Sequence, residues 1–158
     1  MLHALVLIGA TNGVDVCAPF RARAAALGPV SQVSSTQYEL VYRSSKAWRG
    51  GRLSYSYTRD RQSTIPSCYD GVIGYDGPRF SFGRDSTSLA ALAAVYGQDA
   101  VNDFARAELT SRTYVDERTK LSWYRGRKYG YTIASGSQQL TVKSPDGFDA
   151  DYMRATVP

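Results

Sequence analysis

The sequence predicts an α+β domain made mostly of antiparallel sheet, and three patterns carry that prediction. Leu53, Tyr55 and Tyr57 alternate with Ser54 and Ser56, which puts the apolar set on one face of a strand. Gly50-Gly51 and Asp76-Gly77 sit between such runs, where tight hairpin turns need them. Helical spacing is confined to a few stretches, so the helices are few and clustered strands surround them.

The elements follow in chain order. Leu5 to Gly9 is a short apolar strand that ends in the loop Gly9 to Gly13. Pro19 suits a first helical turn, and strong helix formers then run to Leu27 before Gly28-Pro29 stops them, which gives a short helix at about 18–27. Gln37 to Arg43 and Arg52 to Thr58 form a first hairpin across Lys46 to Gly51. Asp60 to Asp70, with Pro66 inside, reads as a loop. A second hairpin joins Gly71–Tyr75 to Arg79–Phe82 through Asp76-Gly77-Pro78.

Asp85 to Ser88 supplies helix caps, and Leu89, Leu92, Ala93 and Tyr96 then recur at helical spacing. Phe104 and Leu109 continue the pattern, so one main helix is expected at about 86–112, with Gly97 as a point of interruption. A meander closes the domain: Leu121 to Tyr124, Tyr129 to Ser135 and Gln139 to Lys143. Residues 1–143 make one globular domain, and 144–158, with two Pro and three Asp, read as a C-terminal arm or tail.

At 158 residues and 43% hydrophobic content the chain can bury one core, which excludes a collagen-like or wholly disordered protein. The longest apolar run, Leu89 to Tyr96, is far below the roughly 18 residues that cross a bilayer. No Lys or Arg precedes the run Ala4 to Ile8, so the start does not read as a signal peptide. Cys17 and Cys68 are the only cysteines. With His3 they fall short of the four ligands of a structural zinc site, and they read as reduced, buried thiols in a cytoplasmic setting.

The net charge of +5 comes mainly from 15 Arg, against only 4 Lys. Arg offers a planar fork of donors to phosphates, carboxylates and aromatic faces, and here it accompanies 12 Tyr and 2 Trp. A GC-rich genome yields the same Arg excess without any function. Two blocks concentrate these residues: Trp48-Arg49-Gly50-Gly51-Arg52 with Tyr55 and Tyr57, and Trp123-Tyr124-Arg125-Gly126-Arg127 with Tyr129 and Tyr131. Each ends in Tyr-x-Tyr-Thr. The match needs a one-residue shift, and coincidence in a Tyr- and Arg-rich chain accounts for it more simply than duplication does.

The run Leu5 to Gly13 resembles the first strand and glycine turn of a Rossmann dinucleotide-binding domain, over about nine residues. The resemblance implies a nucleotide-binding enzyme. The rest of the chain departs from it, because hairpins replace the further βα units. Catalytic equipment is sparse: His3 is the only histidine, and the pair Asp99/Asp103 reads as a solvated helix face compensated by Arg106.

These observations point to a non-catalytic binding or assembly protein. It self-associates or joins a larger particle, as a viral or phage structural or accessory protein would. The expected contact set is Trp48, Arg49, Arg52, Tyr55, Tyr57, Trp123, Arg125, Arg127 and Tyr129, with no cofactor, no metal and no membrane, in the cytoplasm or within a viral particle. The alternative is a single-stranded nucleic-acid binder, with cations tracking phosphates and rings stacking on bases.

Overall fold

A computed structural model describes residues 15–62, 64, 67–78, 86–135 and 138–143. The strand Leu5 to Gly9 and its glycine turn, the segment Arg79 to Phe82 and the C-terminal 144–158 lie outside the described residues.

Helix α1 (Ala18–Ala25) precedes a four-stranded meander: β1 (Ser31–Ser35), β2 (Glu39–Trp48), β3 (Gly51–Asp60) and β4 (Ser67–Asp76). Helices α2 (Ser86–Tyr96) and α3 (Gln98–Arg106) then precede a second meander: β5 (Glu108–Tyr114), β6 (Lys120–Arg125), β7 (Gly130–Ser135) and β8 (Gln139–Lys143). The last strand of each meander pairs with the other, which makes one antiparallel eight-stranded sheet in the order β1-β2-β3-β4-β8-β7-β6-β5. The α+β, mostly antiparallel class stands, and the parallel sheet of a Rossmann domain is absent among the described residues.

The single main helix at about 86–112 is corrected to two helices and a strand. Gly97 takes φ +83, which ends α2 and caps α3. Ala107 is extended, and the Thr- and Tyr-bearing run after it pairs with β6 as β5. β4 pairs with β3 on one edge and with β8 on the other, completing the first meander, and the expected hairpin partner Arg79–Phe82 lies outside the described residues. Strand β2 runs through Lys46-Ala47-Trp48, leaving Arg49 (φ 46) and Gly50 (φ 80) as a two-residue turn of the kind that fits strand twist.

All three helices lie on one face. Phe20 of α1 stacks on Tyr57, Tyr96 of α2 meets Tyr55 edge-on, and Phe104 of α3 packs on Tyr124 and Tyr131. The core beneath them is unusually hydroxylated: Tyr55, Tyr57, Tyr129 and Tyr131 are all buried. Their polar ends are held inside the protein. Tyr96 donates to the Tyr55 oxygen at 3.3 Å, and the Tyr131 hydroxyl reaches the Ala100 carbonyl at 3.0 Å. The Arg23 guanidinium lies 4.5 Å from the Tyr96 ring centre.

The reading of Cys17 and Cys68 as reduced thiols is also corrected. They form a disulfide across 51 residues, with Cα atoms 5.2 Å apart, tying the residue before α1 to β4. Sequence spacing could not show this, because the contact needs β3 and β4 paired with α1 laid across them. Reduction, or a Cys17→Ser/Cys68→Ser double variant, is expected to lower unfolding free energy by about 2–5 kcal/mol. Guanidinium denaturation with and without reductant measures it.

Burial raises the phenol of Tyr55 to about 12, raises Tyr57 and drives Tyr96 well above the ordinary value of 10. Unfolding releases these phenols to titrate near 10. The stability they hold is complete below pH 10 and is lost as pH rises through the folded values. Circular dichroism between pH 8 and 12.5 should show a fold that is flat to about pH 10 and then fails. Absorbance at 295 nm should show Tyr55 and Tyr96 ionising only together with unfolding.

Candidate binding face

Strand parity decides where each expected contact residue points. On β3 the odd positions Leu53, Tyr55 and Tyr57 face the helices and are buried. Tyr129, just before β7, is buried too. Tyr55, Tyr57 and Tyr129 are therefore core residues, and their assignment as contact residues is corrected. A pleated strand under three helices must fill its inner face, and tyrosine does so here.

The two tryptophans part company. Trp48 shares the inner face of β2 with buried Ser44 and meets the Tyr75 ring edge-on. Trp123 lies between buried Ser122 and Tyr124 on β6, so it points to the opposite, outer face and is half-buried there. The arginines separate as well. Arg49 is in the β2–β3 turn, its guanidinium 4.7 Å from the Trp48 ring centre and its carbonyl accepting from the Tyr75 hydroxyl at 2.8 Å. Arg127 is exposed in the β6–β7 turn, while Arg52 and Arg125 are exposed on the outer face. Because β3 leaves its turn in the same direction in which β6 enters the other, the two blocks sit at opposite ends of the sheet. No single groove contains both.

The two blocks nevertheless occupy equivalent hairpins, β2–β3 and β6–β7, the central pairs of two meanders that each follow a helical segment. Tyr57 pairs with Tyr42 and Tyr131 with Tyr124, both on the inner face, but the first pair lies far from its turn and the second beside its own, so the register does not superpose the two Tyr-x-Tyr-Thr copies. The tryptophans are not equivalent, since they lie on opposite faces.

Asp103 departs most from its expected role. Its carboxylate accepts the backbone N–H groups of Arg127 and Lys128 (2.9 and 3.1 Å) and of Tyr129 (3.1 Å), and the Tyr131 hydroxyl at 2.9 Å. It is the organiser of the β6–β7 turn, not a solvated helix residue. Gly126 makes room for it, because a Cβ there would stand 2.0 Å from the carboxylate. Beside this turn lies an open cleft of about 550 Å³ whose lining mixes both signs, with Asp99 and Glu108 against Arg106 and Arg127.

The outer face is what remains, and nothing among the described residues covers it. One row crosses all eight strands: Ser31, Arg43, Ser56, Val72, Thr141, Thr132, Trp123 and Ser111. The next row reads Ser45, Ser54, Gly74, Gln139, Ala134, Leu121 and Thr113. On the four central strands these two rows are uncharged and built from small side chains, with Val72 their largest apolar group and Trp123 and Leu121 beside them on β6. Charge lies around them, in both signs: Arg43 on β2, and Arg52, Arg125 and Lys143 against Glu39, Asp76 and Glu108 in the flanking rows. Residues this far apart in sequence carried no joint signal; only the register assembles them.

Among the described residues no three His, Cys, Asp or Glu side chains stand close enough to hold a metal ion, and no described helix is long and apolar enough to cross a membrane. No family model, curated protein or solved structure matches the chain.

Asp103→Ala removes the acceptor of four donors and is expected to cost about 2 kcal/mol of stability. Amide exchange of Arg127, Lys128 and Tyr129, followed by NMR, should accelerate while the β2–β3 turn is unchanged.

Proposed function

We propose that the protein is a non-catalytic binding and assembly module whose working surface is the outer face of its sheet. The observation that carries this reading is the arrangement of that face: an uncharged centre containing Trp123, ringed by charges of both signs. Protein interfaces are built that way, with charge depleted at the core, aromatic anchors retained and a polar rim. The residues that support it are Trp123, Arg52 and Arg125 from the sequence-derived set, joined by Val72, Thr132 and Thr141.

A protein partner fits this face better than single-stranded nucleic acid does. A nucleic-acid platform sets cations along the path of the phosphates and spaces several rings for stacking. Here the middle rows hold Arg43 as their single cation and Trp123 as their single ring. The disulfide bears on the setting. Thiols stay reduced in an ordinary cytoplasm, so of the two settings read from the sequence, a viral particle accommodates the Cys17–Cys68 bridge better.

The test compares the full chain with a Thr132→Arg variant, both immobilised and exposed to extract from the source. Thr132 is central on the face, and a guanidinium there breaks its neutrality without touching the core. The expected result is a protein retained by the wild type and lost from the variant. Identical retention by the two chains removes the sheet face as the working surface. Retention of nucleic acid that is shed between 50 and 200 mM salt moves the function to the alternative.

A further inference from the structure

Resting on the reading of the outer face as a protein-binding surface, we infer that its occupant is a second copy of this chain, packed face to face about a two-fold axis parallel to the strands. Size is the first argument. Eight strands about 4.8 Å apart, sharing about six residues of length at roughly 3.3 Å each, make a platform of roughly 38 by 20 Å. Two such platforms pressed together bury roughly 1,500 Å² in total, the area of a standard stable interface.

Charge distribution is the second argument. In the order β1-β2-β3-β4-β8-β7-β6-β5, a two-fold axis between β4 and β8 and parallel to the strands lays β2 of one copy over β6 of its partner. It likewise lays β3 over β7 and β4 over β8. An axis parallel to the strands keeps every residue at its own level along them, so Arg43 of one copy lies over Trp123 of the other, a guanidinium on an indole, twice by symmetry. The middle strands bring Ser54 and Ser56 over Thr132 and Ala134, small against small, which lets two sheets approach to the usual 10 Å.

Flatness is the third. A long side chain on the central strands would hold a second sheet away, and the outer positions of β3, β4, β7 and β8 in the two middle rows are Ser, Thr, Gly, Ala, Val and Gln.

Sedimentation velocity of the full chain from about 1 to 100 µM tests the inference. The expected species has twice the 17.3 kDa chain mass. Thr132→Arg should weaken the dimer at least tenfold, with Ser56→Arg as the substitute should the first variant lose its circular dichroism. Trp123→Arg should weaken it as well, by setting a new guanidinium against Arg43 of the facing copy. Adding Arg43→Trp to Trp123→Arg should then restore at least half of the lost association, a recovery that damage to the fold cannot produce. A monomer at every concentration, a dimer indifferent to Thr132→Arg and Ser56→Arg, or a double variant no better than Trp123→Arg alone would each overturn the inference. A monomeric wild type that still retains a different protein through the face would leave the binding-module reading standing.

Discussion

The structure depends on the pairing of β4 with β8. Four residues of each strand, Gly71 to Gly74 and Gln139 to Val142, join two meanders that otherwise share no strand contact. Each meander alone has four strands and one helical segment, too little to close a core. Joined, they place Ile73 beside Leu140 in one continuous layer, with Tyr55 and Ile133 on either flank. The seam tolerates little. A Cβ on Gly71 would stand 1.9 Å from the Tyr96 hydroxyl and 2.8 Å from the Tyr55 ring, so the absence of a side chain at one residue of β4 lets α2 settle over the junction. From that seat Tyr96 reaches Tyr55, and the disulfide of Cys68, further along β4, anchors the approach to α1.

What the sequence shows clearly is what periodicity encodes. The alternation of β3, the short helix α1 between its proline and glycine, and the strands β6 to β8 are local patterns, and the structure contains them. Strands β1 and β5 were invisible for a physical reason. Both are edge strands, exposed along most of their length, and Ser31 to Ser35 has no buried face to impose a hydrophobic alternation. Their conformation is set by the neighbour they pair with. Asp103 was misread for a related reason: its partners are backbone N–H groups 24 to 26 residues away, which leave no mark in side-chain identity.

The aromatic residues carry a second lesson. A chain with 12 tyrosines and an Arg excess suggests a ligand surface, yet Tyr55, Tyr57, Tyr124, Tyr129 and Tyr131 fill the space between sheet and helices. Tyrosine is a workable core residue when its hydroxyl has a partner. Tyr55 with Tyr96, and Tyr131 with Ala100 and Asp103, meet that condition inside the protein. The composition therefore describes how the core is built more than what the protein binds. Of the nine residues singled out from sequence, those that reach the surface are the ones that parity or a turn sends outward.

The outer face must be judged against what an ordinary solvated sheet looks like. Solvent-facing strand positions normally take up the charge that keeps a protein soluble, and this chain has 19 basic and 14 acidic residues to distribute. On β3, β4, β8 and β7 the middle outer positions nevertheless read Ser54, Ser56, Val72, Gly74, Gln139, Thr141, Thr132 and Ala134. Propensity alone does not account for this, because Gly and Ala are poor strand formers and serve a strand only where something else must come close. Two middle rows kept free of both charge and bulk across four adjacent strands, beside a tryptophan turned away from the core, make a surface better suited to another layer of protein than to water. The helices supply that layer on the inner face. Symmetry lets a second copy of the same sheet supply it on the outer one.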